Sequence, residues 1–189
     1  ESGVKGTSDP EARAHPDRLL VESCDIGFSN PSGGTRGVVE GIDGIAVRGW
    51  TIRKCRFLNI QKSGGAAYAV FTKGNSMDTV IEDNRFENCF IGASFGGGGT
   101  GANFFRDGDD QFEHRRGAIR NNQFQRTTDA AIYLNKAFSC TIEGNKMTGC
   151  ALNIQLRYAQ TTAWIRNGNT SDNDTEPLVR LRDGASLLE

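Results

Sequence analysis

One pattern of apolar and polar positions recurs along the chain. An aliphatic residue is followed three residues later by a special position, and two residues after that by an apolar one. The ranks are Val21/Cys24/Ile26, Ile52/Cys55/Phe57, Ile81/Asn84/Phe86, Ile119/Asn122/Phe124 and Ile142/Asn145/Met147, with a degraded sixth at Ile165/Gly168/Thr170. Successive special positions lie 31, 29, 38, 23 and 23 residues apart. The short spacing is the bare period, and the longer ones are the same turn carrying loops. Self-similarity on this scale marks a solenoid.

A leucine-rich repeat shares part of the motif but needs leucine five residues before the asparagine. That position holds Leu19, Trp50, Thr79, Gly117, Cys140 and Ala163. Each turn instead carries a second β-like segment: Ala69–Phe71, Ile91–Ala93, Ala131–Leu134, Asn153–Leu156 and Leu178–Leu181. Short strands joined by Gly, Asn, Asp and Ser predict an all-β chain, a single right-handed parallel β-helix of about six coils. Residues 1–19 are expected to be an N-terminal extension or cap, residues 20–189 the β-helix, and 96–116 a long loop.

In such a stack, coils repeat about every 4.8 Å, the spacing of neighbouring strands. Asn84, Asn122 and Asn145 would then form an internal ladder, each amide satisfying the next, with Cys24 and Cys55 as small apolar rungs of the same column. Cys89 and Cys150 should be separated by the turn that contains Asn122. A short helix start at Ser8–Arg13 would cap the first coil weakly. Self-association, or further coils, is expected at the ends.

Composition narrows the function classes. With 22 basic and 23 acidic residues the net charge is −1, so no overall field recruits nucleic acid. No apolar run reaches membrane-spanning length, so no membrane insertion is expected. Residues 1–20 contain no signal peptide, so either none existed or it was removed. Five cysteines without a C-x-x-C motif argue against both a disulfide framework and a zinc site.

Candidate chemistry gathers around the 38-residue turn. Asp107, Asp109, Asp110 and Glu113 crowd four carboxylates into seven residues, a set suited to Ca²⁺. Lys73, Asn135–Lys136 and Arg157 hold similar offsets in their turns and would stack into a basic strip. Such a strip in a nearly neutral protein suits an acidic polysaccharide, with Arg106, Arg115, Tyr133 and Asn135 as substrate-binding groups. His114 is a candidate proton carrier beside it.

The repeat resembles the right-handed β-helix superfamily of pectate lyases, alginate lyases and bacterial repeat proteins. More narrowly, Lys73–Phe86 is similar to the lysine-bearing coil of the chondroitinase B and alginate lyase family. That resemblance implies Lys73 as base in β-elimination; Lys136, Arg157 and His114, read from their own places in the repeat and loop, are further catalytic candidates. The Arg-His pair which that family carries on the next coil is replaced here by Ser94-Phe95-Gly96-Gly97. The stretch Ile91–Ala137 is similar to secreted bacterial β-helix proteins, which implies an extracellular or periplasmic location. The alternative expectation is a non-catalytic carbohydrate-binding or structural repeat protein.

Overall fold

The computed structural model describes residues 2–7, 14–97 and 99–189. The cap expected at Ser8–Arg13 lies outside the described residues. The chain is all-strand, with two short 3₁₀ turns, Ala102–Phe104 and Arg106–Gly108, and no α-helix among the described residues. Every strand pairing is parallel, in four sheets. Sheet I has seven strands in the order Ser2–Thr7, Val39–Ile45, Ala67–Lys73, Ile91–Phe95, Ala130–Asn135, Leu152–Arg157 and Val179–Arg182. Sheet II is also seven-stranded, from Leu20–Glu22 to Ser186–Leu187, and sheet III has six, from Asp25–Gly27 to Thr170–Ser171. Sheet IV has three: Ser76–Met77, His114–Arg115 and Ala137–Phe138. The chain visits the sheets cyclically and each strand pairs with its equivalent one turn on, an arrangement compatible with a β-solenoid.

Residues 2–7 refine the expected N-terminal extension, because they form the first strand of sheet I, in register with Val39–Ile45.

The repeat dictates this packing residue by residue. Ile52, Ile81, Ile119 and Ile142 stack in one fully buried column. Phe57, Phe86 and Phe124 stack in another, with ring centroids 4.8 and 4.7 Å apart and planes within 8°. The ring spacing equals the strand spacing, so the parallel register itself sets the stack. Each buried side chain of this size contributes about 1.5–3 kcal/mol by leaving water.

Between sheets II and III the chain turns through a left-handed residue in every coil: Ser23, Lys54, Asp83, Asn121, Gly144 and Gly168. The next residue is the special position. At this bend a buried N–H needs an acceptor that the strand ladder does not supply. The asparagine supplies it. Asn122 N and Nδ2 both donate to Asn145 Oδ1 at 3.0 Å, and Nδ2 also donates to Ile81 O at 2.9 Å. Asn84 makes the same bonds to Asn122 Oδ1 and to Ile52 O, and accepts from Cys55 N.

The ladder runs one turn further than the repeat suggested. Asn145 N and Nδ2 donate to Asn169 Oδ1, so the sixth rung is Asn169 rather than Gly168. That turn holds one additional residue before its rung, and Gly168 takes the left-handed place that Gly144 holds in the turn before.

Cys24 and Cys55 occupy adjacent rungs, while Thr127 lies in register between Cys89 and Cys150. All five thiols are free. Burial pushes Cys89 and Cys140 up to about 12, which leaves them as inert apolar groups.

Asn122→Leu removes the acceptor of the Asn84 N–H and the amide donor to Ile81 O, and leaves Asn145 Oδ1 with the residue-122 N–H alone. It should cost on the order of 1–3 kcal/mol in urea unfolding. A loss within error of zero would contradict the role assigned to the ladder.

Candidate functional site

The long loop leaves sheet I at Gly96, whose φ of +72° turns the chain sharply. It does not project from the stack. Gly97 lies flat on the Phe71 ring, where an added Cβ would come within 2.5 Å of the ring. The segment then runs back across earlier turns as a strap. Arg106 is its anchor: its guanidinium bonds Asp17 at 2.7 and 3.0 Å, its N–H donates to Gly74 O, and its carbonyl accepts from Asn75 Nδ2. Desolvation pushes the Asp17 carboxyl up, but the hydrogen bonds and charge of Arg106 outweigh it and hold Asp17 below its usual range. Asp107 pairs with Arg48 beside this anchor. The strap returns through Asp109, which pairs with Arg115. Arg115 also bonds Asn75 Oδ1 and covers the Phe112 ring at 4.3 Å.

Between the strap and the exit of sheet I lies a cleft of ≈ 390 Å³. Tyr133, Asn135, Lys136, Arg157 and Tyr158 line one side, and Thr100, Phe105, Asp110 and Glu113 line the other. Register explains the first group, because Asn135 pairs with Arg157 and Tyr133 with Gln155 in neighbouring parallel strands. Tyr133 is seated by an apolar cluster on the outer face of sheet I, with Ile91, Ala130, Tyr68, Phe90 and Leu152. Its hydroxyl accepts from Asn135 Nδ2 at 3.1 Å. Arg157 bonds Asp183 at 2.7 Å and lies over the Tyr158 ring at 5.0 Å. The bond to Asp183 raises the Arg157 guanidinium against desolvation, with Tyr133 adding to the rise.

The candidates from the sequence therefore divide. Lys136, Arg157, Tyr133, Asn135, Asp110 and Glu113 come together at the cleft. Lys73 holds the same register column, separated from Asn135 by Gly96, and is not among the lining residues. Its ammonium lies 4.0 Å from Asp43 Oδ1 and 4.2 Å from the Phe71 centroid, on a side chain only 12% exposed. Arg106 and Arg115 are spent on holding the strap. The four carboxylates expected to share a cation are spread over separate partners. Asp107 goes to Arg48, Asp109 to Arg115, and Glu113 to Gly74 N and Thr100, which leaves Asp110 on the cleft. Among the described residues no three His, Cys, Asp or Glu side chains are placed to hold a metal.

His114 is corrected from a ligand-facing proton carrier to a core residue. It is fully buried, stacked on Phe95 with centroids 4.0 Å apart, and neither ring nitrogen has a hydrogen-bond partner. Its place in sheet IV, between Ser76 and Ala137, turns the side chain inward. Tyr158 was missed, although it holds in its turn the position of Lys136 in the turn before.

No protein-family model, curated protein or solved structure matches the chain. Among the described residues no helix is long and apolar enough to cross a membrane.

Burial, and secondarily the Arg116 charge, lowers the His114 pKa from 6.5 to about 3. Between those values the unfolded chain binds a proton that the folded chain does not. Stability should therefore fall as pH drops through that window, by up to about 1.4 kcal/mol per unit. Urea midpoints from pH 7 to pH 4 should fall less steeply for His114→Phe, which keeps the ring stack. An NMR titration of His114 at its ordinary pKa would contradict the buried, neutral imidazole.

Proposed function

We propose that the chain is a right-handed parallel β-helix that binds an acidic, uronate-containing polysaccharide in the cleft beneath its strap. The handedness follows from the strong preference of parallel strand–crossover–strand connections for the right-handed sense. The observation that carries the binding reading is the convergence of two cations, two tyrosines and an amide on one wall of a concave site, facing a wall that carries Asp110 and Glu113. A guanidinium fork and an ammonium suit a carboxylate, the tyrosine rings offer flat faces to a sugar ring, and Asn135 offers hydrogen bonds to hydroxyls. A polymer of this kind places the protein outside the cell or in the periplasm.

β-Elimination is a second reading, favoured by Tyr133, Lys136 and Arg157 lining the same cleft. There Arg157 would neutralise the uronate carboxylate, and Tyr133 or Lys136 in its deprotonated form would take the α-proton. The electron pair would form the C=C bond as the β C–O bond breaks, the leaving oxygen taking a proton from solvent. Lys73 and His114, the bases offered by the sequence, lie outside the cleft, so plain binding is the stronger reading.

Calorimetry against alginate, polygalacturonate and glycosaminoglycans tests the proposal. The wild type should bind at least one of them, more weakly as salt rises. The double variant Arg157→Ala, Lys136→Ala should lose about tenfold or more, because each charge-assisted bond is worth roughly that factor. No binding by the wild type, or unchanged binding by the double variant, would contradict it. The ultraviolet absorbance of unsaturated uronates over the same panel separates the readings, rising only if elimination occurs.

A further inference from the structure

Glu113 is 4% exposed, yet it lines the cleft. Gly74 N–H at 2.8 Å and the Thr100 hydroxyl at 3.0 Å both bond the same carboxylate oxygen, Oε2. Oε1 takes no hydrogen bond from the described residues, and it is not among the unpartnered polar atoms sealed from solvent. Glu113 lines the cleft, and Oε1 is its one carboxylate oxygen without a partner among the described residues. The backbone beneath it is fixed, since Glu113 N–H donates to Lys136 O and Glu113 O accepts from Ser76 N–H. Space for the side chain comes from Gly96, where an added Cβ would sit 2.6 Å from Glu113 Cβ and 2.0 Å from Asn135 O. One oxygen is enough to brace the strap; the other is left as a rigid acceptor.

We infer that Glu113 determines specificity: Oε1 accepts a hydroxyl of the sugar whose carboxylate lies on Lys136 and Arg157. This rests on the proposed reading of the cleft and narrows its ligand. An ionised carboxylate can only accept hydrogen bonds, so it selects a free hydroxyl and repels an anionic substituent at that point. Asp110, exposed on the same wall, adds to the repulsion. The ligand class is thus an unsulfated uronate oligomer with a free hydroxyl beside the bound carboxylate, and sulfated chains are disfavoured.

Glu113→Gln tests this directly. The Gly74 N–H can only donate, so the single amide oxygen must take the Oε2 place. The NH₂ group then faces the cleft, and an acceptor becomes a donor while the brace survives. The variant should melt like the wild type but bind oligogalacturonate about tenfold or more weakly, and lose its preference over heparin oligosaccharides. If Glu113→Gln binds like the wild type while the Arg157, Lys136 double variant does not, Glu113 is only a brace and the inference fails with the cleft reading intact. If the wild type binds no oligomer, both fail. Should Glu113→Gln not fold, the wild type alone decides. Methylating the oligomer's hydroxyls should weaken binding by a similar factor, and equal binding of free and methylated oligomers overturns the inference.

Discussion

A bend buried inside a stack of parallel turns leaves backbone N–H groups facing the interior, and each must find an acceptor there or cost about 1–3 kcal/mol. Asparagine meets this need because one amide carries both donors and an acceptor. Its oxygen receives the preceding rung's N–H and amide, and its nitrogen reaches back to a carbonyl and forward to the next oxygen. A ladder of this kind is satisfied only when rungs lie at equal height. It therefore specifies register as well as stability, and a one-residue slip would break every rung while turning the Ile and Phe columns out of the core.

The cleft inherits its geometry from that register. Asn135 and Arg157 meet because their strands are paired without offset, and Tyr158 follows Lys136 for the same reason. The strap adds the second wall. It carries few buried apolar residues of its own and is held by Arg106 on Asp17, Asp107 on Arg48 and Asp109 on Arg115. These pairs are partly exposed, so each contributes little in isolation. Together they tie the strap to corners of turns that are already rigid, and groups so fixed would lose little freedom to any ligand bound between them.

The apolar columns, the turn length and the rungs Asn84, Asn122 and Asn145 were legible in the sequence, because each obeys a strict local period tied to burial. The sixth rung was misplaced by one residue because the additional residue before Asn169 breaks that period without breaking the hydrogen bonds. Lys136 and Arg157 were legible as neighbours for the same periodic reason. The path of the strap was not, since it follows long-range ion pairs between residues as distant as Asp17 and Arg106, which no local pattern encodes. His114 was misread because two-residue sheet IV strands, too short to show alternation, decide which way its side chain turns. Glu113 looked like one of four acidic loop residues, and no local pattern marked its side chain as packed beside Gly96.

The amide ladder can be tested by hydrogen exchange at the side-chain NH₂ groups of Asn84, Asn122 and Asn145, followed by NMR in the native state. These groups should exchange only through global opening, in step with the slowest backbone amides of sheets II and III. Exchange at the rate of exposed asparagines such as Asn121 would show that the column is not a continuous buried ladder and that the register must be held in some other way.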